Sequence, residues 1–212
     1  MSSILIKAVN ETLIMVFAST LFALILGFIP AIILTVTADD GLRPNKKIYS
    51  ILDFIVNILR SFPFLILMVV LIPFTRIIVG KSIGTAAAVV PLTIASAPFV
   101  SRIIESALRE VDKGVIEAAK SFGATDMQII FKVMLKEAIP SIMSGLTLTI
   151  ISIVGYSAMA GTVGGGGLGN VAISYGYQRF QVDIMVATCI VLVIIVEALQ
   201  LLGNYLYNKL SK

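Results

Sequence analysis

The chain contains no histidine, and Cys189 is its only cysteine. Without histidine it lacks the commonest general base and metal ligand, and a single cysteine excludes an internal disulfide. Cys189 lies within an apolar run, where a thiol behaves as a small hydrophobic side chain. We therefore expect no catalytic site, no metal site and no cofactor in this chain, and no enzymatic activity of its own.

Charged residues are also scarce. They make up 13% of the chain, whereas soluble domains contain about 25% charged residues. Hydrophobic residues make up 58%, compared with about 45–50% in soluble domains. A soluble fold of this size could not bury so much apolar surface. Because apolar runs extend from end to end without a polar linker, residues 1–212 are expected to form a single all-α polytopic membrane domain surrounded by the lipid bilayer.

The uncharged runs predict about five transmembrane helices, because roughly 20 apolar residues cross the hydrocarbon core. The expected spans are Thr12 to Ala38, Ile51 to Thr75 with Asp53 and Arg60 as interruptions, Ser82 to Ser101, Pro140 to Ala160, and Ile184 to about Tyr207. Pro91 and Pro98 should loosen or kink the third span. Pro140 suits the first turn of the fourth.

A glycine-rich segment follows the fourth span. It contains six glycines between Gly161 and Gly169, too many for a stable helix. Irregular backbone persists at membrane depth only where protein or water satisfies its polar groups. We expect this segment to line a cavity or to cap the outer mouth of the protein.

The basic residues set the expected orientation, since cytoplasmic loops are enriched in lysine and arginine. One set of alternate loops holds ten such residues and the other holds four. This asymmetry predicts that the N-terminus is outside and the C-terminus is cytoplasmic. The same clustering in the gaps between apolar runs explains the net charge of +4 without a nucleic-acid partner.

The polar segment between spans three and four, at about 109–137, is therefore expected in the cytoplasm. Its pattern predicts a short helix from about Gly114 to Phe122 and a stop at Gly123. Thr125 and Gln128 have the spacing of a capping box that begins a second helix. The product would be a compact helical knob with a carboxylate at Glu117.

The sequence of this knob resembles the EAA loop of ABC importer permeases, which docks into a groove on the cytoplasmic ATPase. The match consists of Glu117, Ala118, Ala119, Gly123 and the adjoining Ala124. The chain departs from the family pattern at Lys136, where proline is usual. The resemblance implies that these five residues couple the chain to a separate subunit that hydrolyses ATP.

Other segments are similar to the methionine importer permeases. They are Arg60 to Phe64, Ile72 to Arg76, Gly155 to Gly161, Leu168-Gly169 and Tyr175 to Gln178. This resemblance implies methionine import across the bacterial inner membrane by alternating access. It also implies a homodimer of this chain, two cytoplasmic ABC ATPase subunits and an extracytoplasmic methionine-binding protein.

Several interpretations remain open. Tyr156, Ser157 and Met159 either pack as ordinary helix residues or form a gate on the translocation path. Arg60 is either a structural anchor, with Asp53 as a candidate partner, or a contact for a substrate carboxylate.

Glu105 and Arg109 are most simply a surface helix pair, although they could also face the ATPase. For the whole chain, the alternative functions are an ABC permease for another amino acid or small peptide, and an ion-coupled secondary transporter. The second commonly shows inverted repeats, and no convincing repeat is present.

Overall fold

The computed structural model describes residues 2–211, which form α-helices and two short π-helical stretches, with no β-strand among them. The α-helices are α1 Ser2–Thr37, α2 Lys46–Ser61, α3 Phe64–Val70, α4 Ile72–Val79, α5 Thr85–Arg109, α6 Lys113–Ser121, α7 Asp126–Gln128, α8 Leu135–Thr162, α9 Gly167–Val171 and α10 Val182–Leu210. The π-helical stretches are Ile129–Met134 and Ala172–Tyr177.

The all-α membrane fold with about five spans is confirmed. Four helical stretches are long and apolar enough to cross a membrane: α1, α5, α10, and the run from Asp126 to Thr162 that ends in α8. The bent pair of α2 and α3 makes a fifth when the two helices are counted as one broken span. The helices extend beyond the uncharged runs because a helix continues into the polar layers once its apolar centre is packed.

The second span is broken where the sequence is least apolar. The axes of α2 and α3 meet at 101°. Pro63 accounts for the break, because its ring restricts the residue before it, and Phe62 is extended with ψ 129°. α4 follows after Leu71 and ends at Gly80. Arg60 consequently lies in the last turn of α2, beside the bend.

The prediction that the fourth span begins at Pro140 is wrong. The helical run starts at Asp126, passes through the π-helical stretch and continues as α8, so Pro140 lies inside it. A proline there removes the amide that would bond to the carbonyl of Lys136, which is exposed and can bond to water instead. Pro91 and Pro98 also lie inside one uninterrupted helix, α5.

The glycine-rich segment is more ordered than the glycine count predicts. After α8 the chain turns through residues 163–166 and forms α9, which packs closely against the end of α8. A Cβ atom on Gly169 would lie 2.1 Å from the carbonyl oxygen of Ala158. The glycines therefore allow two backbones to touch, and the irregular part is limited to one turn.

Helix α5 lies at the centre of the bundle, between α1 and α8. Two apolar clusters surround it, one near the polar segment between α5 and α8 and one towards the glycine-rich segment. Helix α10 is mostly exposed along its length. Such wide apolar exposure suits contact with lipid or with another membrane subunit.

Candidate functional site

The polar segment between α5 and α8 folds as the sequence predicts. The Asp112 carboxylate accepts hydrogen bonds from the amides of Gly114 and Val115 and so caps α6. After α6 the chain reverses at Gly123, whose φ of +77° favours glycine. The Thr125 hydroxyl and the Gln128 side chain then form the predicted capping box.

The five residues of the predicted coupling loop divide into an exposed set and an anchoring set. Glu117, Ala118 and Gly123 are exposed. Ala119 and Ala124 are half-buried and pack on the apolar cluster below. The small alanines thus let α6 lie close to the bundle, while the Glu117 carboxylate points into solvent.

Phe122 is a feature of this loop that the sequence analysis missed. Its side chain is 90% exposed at the tip of the loop, and the Met127 side chain nearby is 63% exposed. Apolar side chains so far from the lipid-facing surface indicate contact with a protein. The signal in the sequence was an aromatic residue between two polar stretches, immediately before Gly123.

The base of the loop is firmly attached to the membrane helices. Ile129, Ile130 and Met134 are buried against α5, in the same apolar cluster as Ile104 and Leu108. The loop and the ends of α5 and α8 therefore share one core. A force applied to the loop would move these helices with it.

Ion pairs join this base to the loop between α1 and α2. The Arg43 guanidinium lies 2.5 Å from the Asp126 carboxylate. Asp40 lies 3.1 Å from Arg109 and 3.4 Å from Lys113. Burial opposes ionisation of Asp40, yet these two cations keep the pKa of its carboxyl below the ordinary value of 3.8. Asp40 is thus charged at neutral pH and holds both cations.

A buried carboxylate, Glu105, lies one turn further into the bundle. Its side chain is 2% exposed and accepts hydrogen bonds from Arg102 at 2.8 Å and from the Tyr49 hydroxyl at 3.2 Å. Arg109 lies 3.7 Å away. Glu105 and Arg109 thus pair as their spacing predicts, but the location of this pair on the surface is wrong, because α2 and α5 enclose the carboxylate.

Asp53 takes part in the same network and not in a pair with Arg60. Its carboxylate lies 2.5 Å from the guanidinium of Arg102. Asp53 and Arg60 are on one helix, but the cation that pairs with Asp53 is Arg102 of α5. The proposed partnership of Asp53 with Arg60 is therefore wrong.

The three candidate gate residues point in different directions from α8. Tyr156 stacks on Phe64 with ring centres 4.9 Å apart and borders a cavity between α5 and α8. Ser157 is buried, and its hydroxyl donates to the carbonyl of Val154 at 2.7 Å. Met159 is exposed. Only Tyr156 of the three lines that cavity.

The glycine-rich segment is held by polar residues of α1. The Gly167 amide donates to the Glu11 carboxylate at 2.8 Å, and the Leu168 amide donates to the Thr12 hydroxyl at 2.9 Å. This end of the bundle is opposite the coupling loop. A shallow pocket there is bordered by Thr75, Gly84 and Gly165, so the segment does line a cavity.

Within the described part of the chain, residues 2–211, no cluster of acidic side chains and cysteine could hold a metal ion. The side chains gathered at the two ends of the bundle form ion pairs, caps and apolar contacts. This arrangement suits mechanical coupling and passage of a solute.

Comparison with known proteins gives a consistent result. Residues 23–212 match the family described as the inner membrane component of binding-protein-dependent transport systems. The chain is 49% identical over 210 residues to the probable D-methionine transport system permease protein MetI of Vibrio cholerae, which covers 99% of this chain and 93% of that one. It is 46% identical over 180 residues to the methionine import system permease protein MetP of Bacillus subtilis, and this match covers 85% of this chain and 81% of the relative.

The fold has an equally close counterpart among solved structures. A chain of the MetNI methionine ABC transporter, solved in inward-facing conformations, superposes with a TM-score of 0.98 at 45% sequence identity. The superposition covers 100% of this chain and 98% of that chain.

Proposed function

Because the chain belongs to the family of inner membrane components of binding-protein-dependent transport systems, we propose that it is the permease subunit of an ATP-driven methionine importer. Its place is the bacterial inner membrane, and the ATPase is a separate subunit. The main support for coupling to the ATPase is the loop around Glu117 and Phe122. Its tip is exposed, and its base shares an apolar core with the membrane helices. The names of the relatives support methionine as the substrate.

The proposed mechanism is alternating access. ATP binding closes the ATPase dimer, and the coupling loop, from Lys113 to Ala124, transmits this closure to the membrane helices as a rigid-body movement. The buried contacts of Ile129 and Met134 with α5 make the movement of loop and spans a single event. Hydrolysis then resets the complex.

The complex would contain two copies of this chain, two cytoplasmic ABC ATPase subunits and an extracytoplasmic methionine-binding protein. Under this proposal the coupling loop lies in the cytoplasm, the N-terminus outside and the C-terminus inside. Glu117, Ala118, Ala119, Gly123 and Ala124 form the docking element. The exposed Phe122 side chain would fill an apolar part of the ATPase groove.

We assign the gate to the region of α8 around Tyr156, Ser157 and Met159. Tyr156 borders the cavity between α5 and α8. Ser157 faces the core, and Met159 is free to contact a second copy of the chain. A path made of hydroxyls and flexible apolar side chains would pass a neutral zwitterion without holding it strongly, as release requires.

The test of function is uptake of labelled methionine by proteoliposomes. They contain this chain with its ATPase, and the binding protein and ATP are added or omitted separately. Uptake that needs all components supports the proposal. Preferential uptake of a different amino acid or a small peptide would show that methionine is not the substrate. Uptake without ATP would indicate an ion-coupled transporter.

The coupling loop is tested by Glu117→Arg, which reverses the charge of an exposed side chain without disturbing the core. We expect loss of ATPase co-purification and unchanged membrane insertion. Asp183→Arg is the matched control, because Asp183 is an exposed acidic residue in the first turn of α10, at the opposite end of the bundle. Undiminished co-purification with Glu117→Arg would overturn the docking assignment.

A further inference from the structure

Arg60 has no charged partner within residues 2–211. Its buried Nε atom lacks a hydrogen-bond acceptor, and Asp53 is paired with Arg102. The guanidinium carbon lies 5.0 Å from the centre of the Phe99 ring, about midway along α5. A cation at membrane depth is costly and marks a functional site unless a partner satisfies it. A cation–π contact with Phe99 compensates only part of this cost.

Phe99 also borders a cavity between α5 and α8, of about 150 Å³. An engineered protein cavity of about this volume, ~150 Å³, binds benzene. The lining of the cavity includes Ser96, Phe99 and Ile103 from α5 and Thr149, Ser152 and Tyr156 from α8. Apolar faces and hydroxyl groups thus alternate around one space between the two helices.

Ser96 is the unusual residue in this lining. It is 1% exposed, and its hydroxyl has no hydrogen-bond partner. Other buried hydroxyls donate to the carbonyl four residues back, as Thr35 does to Ala31, but those of Thr93 and Ser101 on α5 are unpaired like that of Ser96. An unpaired buried hydroxyl is destabilising. Of these three residues only Ser96 borders the cavity, where a polar ligand would satisfy its hydroxyl.

The opposite wall offers acceptors. The Thr149 hydroxyl donates to the carbonyl of Gly145 at 3.1 Å, and the Ser152 hydroxyl donates to that of Leu148 at 2.9 Å. Each oxygen keeps lone pairs free to accept from a cation. The Ser96 donor therefore lies on the α5 side of the cavity and the acceptors lie on the α8 side, while Arg60 lies against Phe99 and is not itself a lining residue.

We propose that this cavity is a transient binding site for an amino-acid zwitterion on the translocation path, and that the Arg60 side chain turns from Phe99 towards the cavity to pair with the carboxylate of the zwitterion. The Ser96 hydroxyl also donates to the carboxylate, and the oxygens of Thr149 and Ser152 accept from the ammonium group. The apolar tail lies against Phe99 and Tyr156, where a thioether makes favourable contacts with aromatic rings. This inference rests on the proposed function and adds to it a site and the chemistry that site recognises.

The test uses a photoreactive methionine analogue that carries a diazirine in its side chain. The complex of this chain with its ATPase is illuminated with the analogue, and adducts are mapped by mass spectrometry. We expect adducts in the segments 96–103 and 148–156. Methionine should compete for labelling, whereas methioninamide, which has the same tail and no carboxylate, should compete at least about tenfold more weakly.

Variants separate a binding role from an anchoring role. Arg60→Gln should lower labelling by about tenfold or more, and Arg60→Lys, which keeps a cation, should retain more of it. Ser96→Ala should weaken labelling severalfold. Glu197→Gln is the matched control, because it neutralises another charge within an apolar helix, on α10 and outside the cavity lining. It should label as the wild type does.

The outcomes distinguish this site from the proposed function. Wild-type proteoliposomes that import methionine but show no adduct in these segments would overturn the site alone. Equal competition by methioninamide on the wild-type protein would do the same, even if the Arg60 variants fail to assemble. Absence of ATP-dependent methionine import would overturn the proposed function and this site with it.

Discussion

Replacing Glu105 by alanine tests the buried polar network most directly. Glu105 is enclosed by α2 and α5 and accepts from Arg102 and from the Tyr49 hydroxyl. Breaking a buried ion pair by removing one partner typically costs about 3–5 kcal/mol, because the other charge is left unpaired. Here Arg102 keeps Asp53, and Arg109 keeps Asp40. We therefore expect a smaller loss, about 2–4 kcal/mol in the free energy of unfolding.

This loss converts to a measurable shift. For a chain of about 200 residues, each kcal/mol changes the midpoint of thermal unfolding by roughly 2–4 °C, so Glu105→Ala should lower it by roughly 5–15 °C. The midpoint can be followed by loss of the monodisperse size-exclusion peak after heating the purified complex in detergent. Glu105→Gln keeps an acceptor for Tyr49 and should fall between the wild type and the alanine variant.

A second variant on the same network provides the comparison. Asp40→Asn removes the partner of Arg109 and Lys113, but the Asp40 side chain is 42% exposed. Exposed ion pairs contribute about 0–1 kcal/mol, so its midpoint should fall by no more than about 4 °C. The reasoning from burial is wrong if the unfolding midpoint of Glu105→Ala lies within about 2 °C of that of the wild type. It is also wrong if Asp40→Asn lowers the midpoint as much as Glu105→Ala does.

Two further predictions concern the glycine-rich segment and acid. Gly169→Ala should destabilise the complex, because the new Cβ would overlap the carbonyl of Ala158 and prevent α9 from packing on α8. Gly155→Ala is the control, because its Cβ meets no atom within 4 Å. It should change the free energy of unfolding by less than about 1 kcal/mol. The Asp40 pKa is lower in the folded protein than its ordinary value of 3.8, so its ion pairs stabilise above that pH and are lost as pH falls through the folded pKa. The difference in midpoint between wild type and Asp40→Asn should therefore stay constant down to about pH 5 and shrink as the pH falls to 3.8 and below. A difference that stays constant through this range would contradict the assignment.

The coupling loop could be predicted from the sequence because its signals are local. The stop at Gly123 and the capping box of Thr125 and Gln128 depend on residues within a few positions of each other. Each predicts a backbone conformation that hardly depends on the rest of the fold. The close packing of Ala119 on the apolar cluster could be predicted equally well, since a small side chain permits it.

The polar network could not be predicted because it joins distant segments. Glu105 and Arg109 have the spacing of an exposed helix pair, and only the packing of α2 across α5 buries the carboxylate. Asp53 likewise meets Arg102, 49 residues further along the chain. Side-chain periodicity shows which residues share a face, but it does not show what covers that face.

The start of the helical run that ends in α8 could not be predicted, for a related physical reason. Pro140 marks a permitted helix start, and it also marks a place where one hydrogen bond is missing from a longer helix. Packing of Ile130 and Met134 on α5 outweighs that loss, and the exposed backbone near Lys136 has access to water. Local propensity therefore set the boundary too late, and tertiary contacts moved it to Asp126.

The position of α5 relates the coupling loop to the proposed binding cavity. Arg109 at its end holds Asp40 beside the loop, and Phe99, ten residues earlier, borders the cavity. At 1.5 Å per residue these two points are only about 15 Å apart along a single helix. Because α5 is packed on all sides by α1, α2 and α8, it can shift only together with its neighbours. Closure of an ATPase dimer under the loop would then move α5 and α8 together, and would carry the cavity, with the groups at Arg60 and Ser152 that a zwitterion must bridge, as one body.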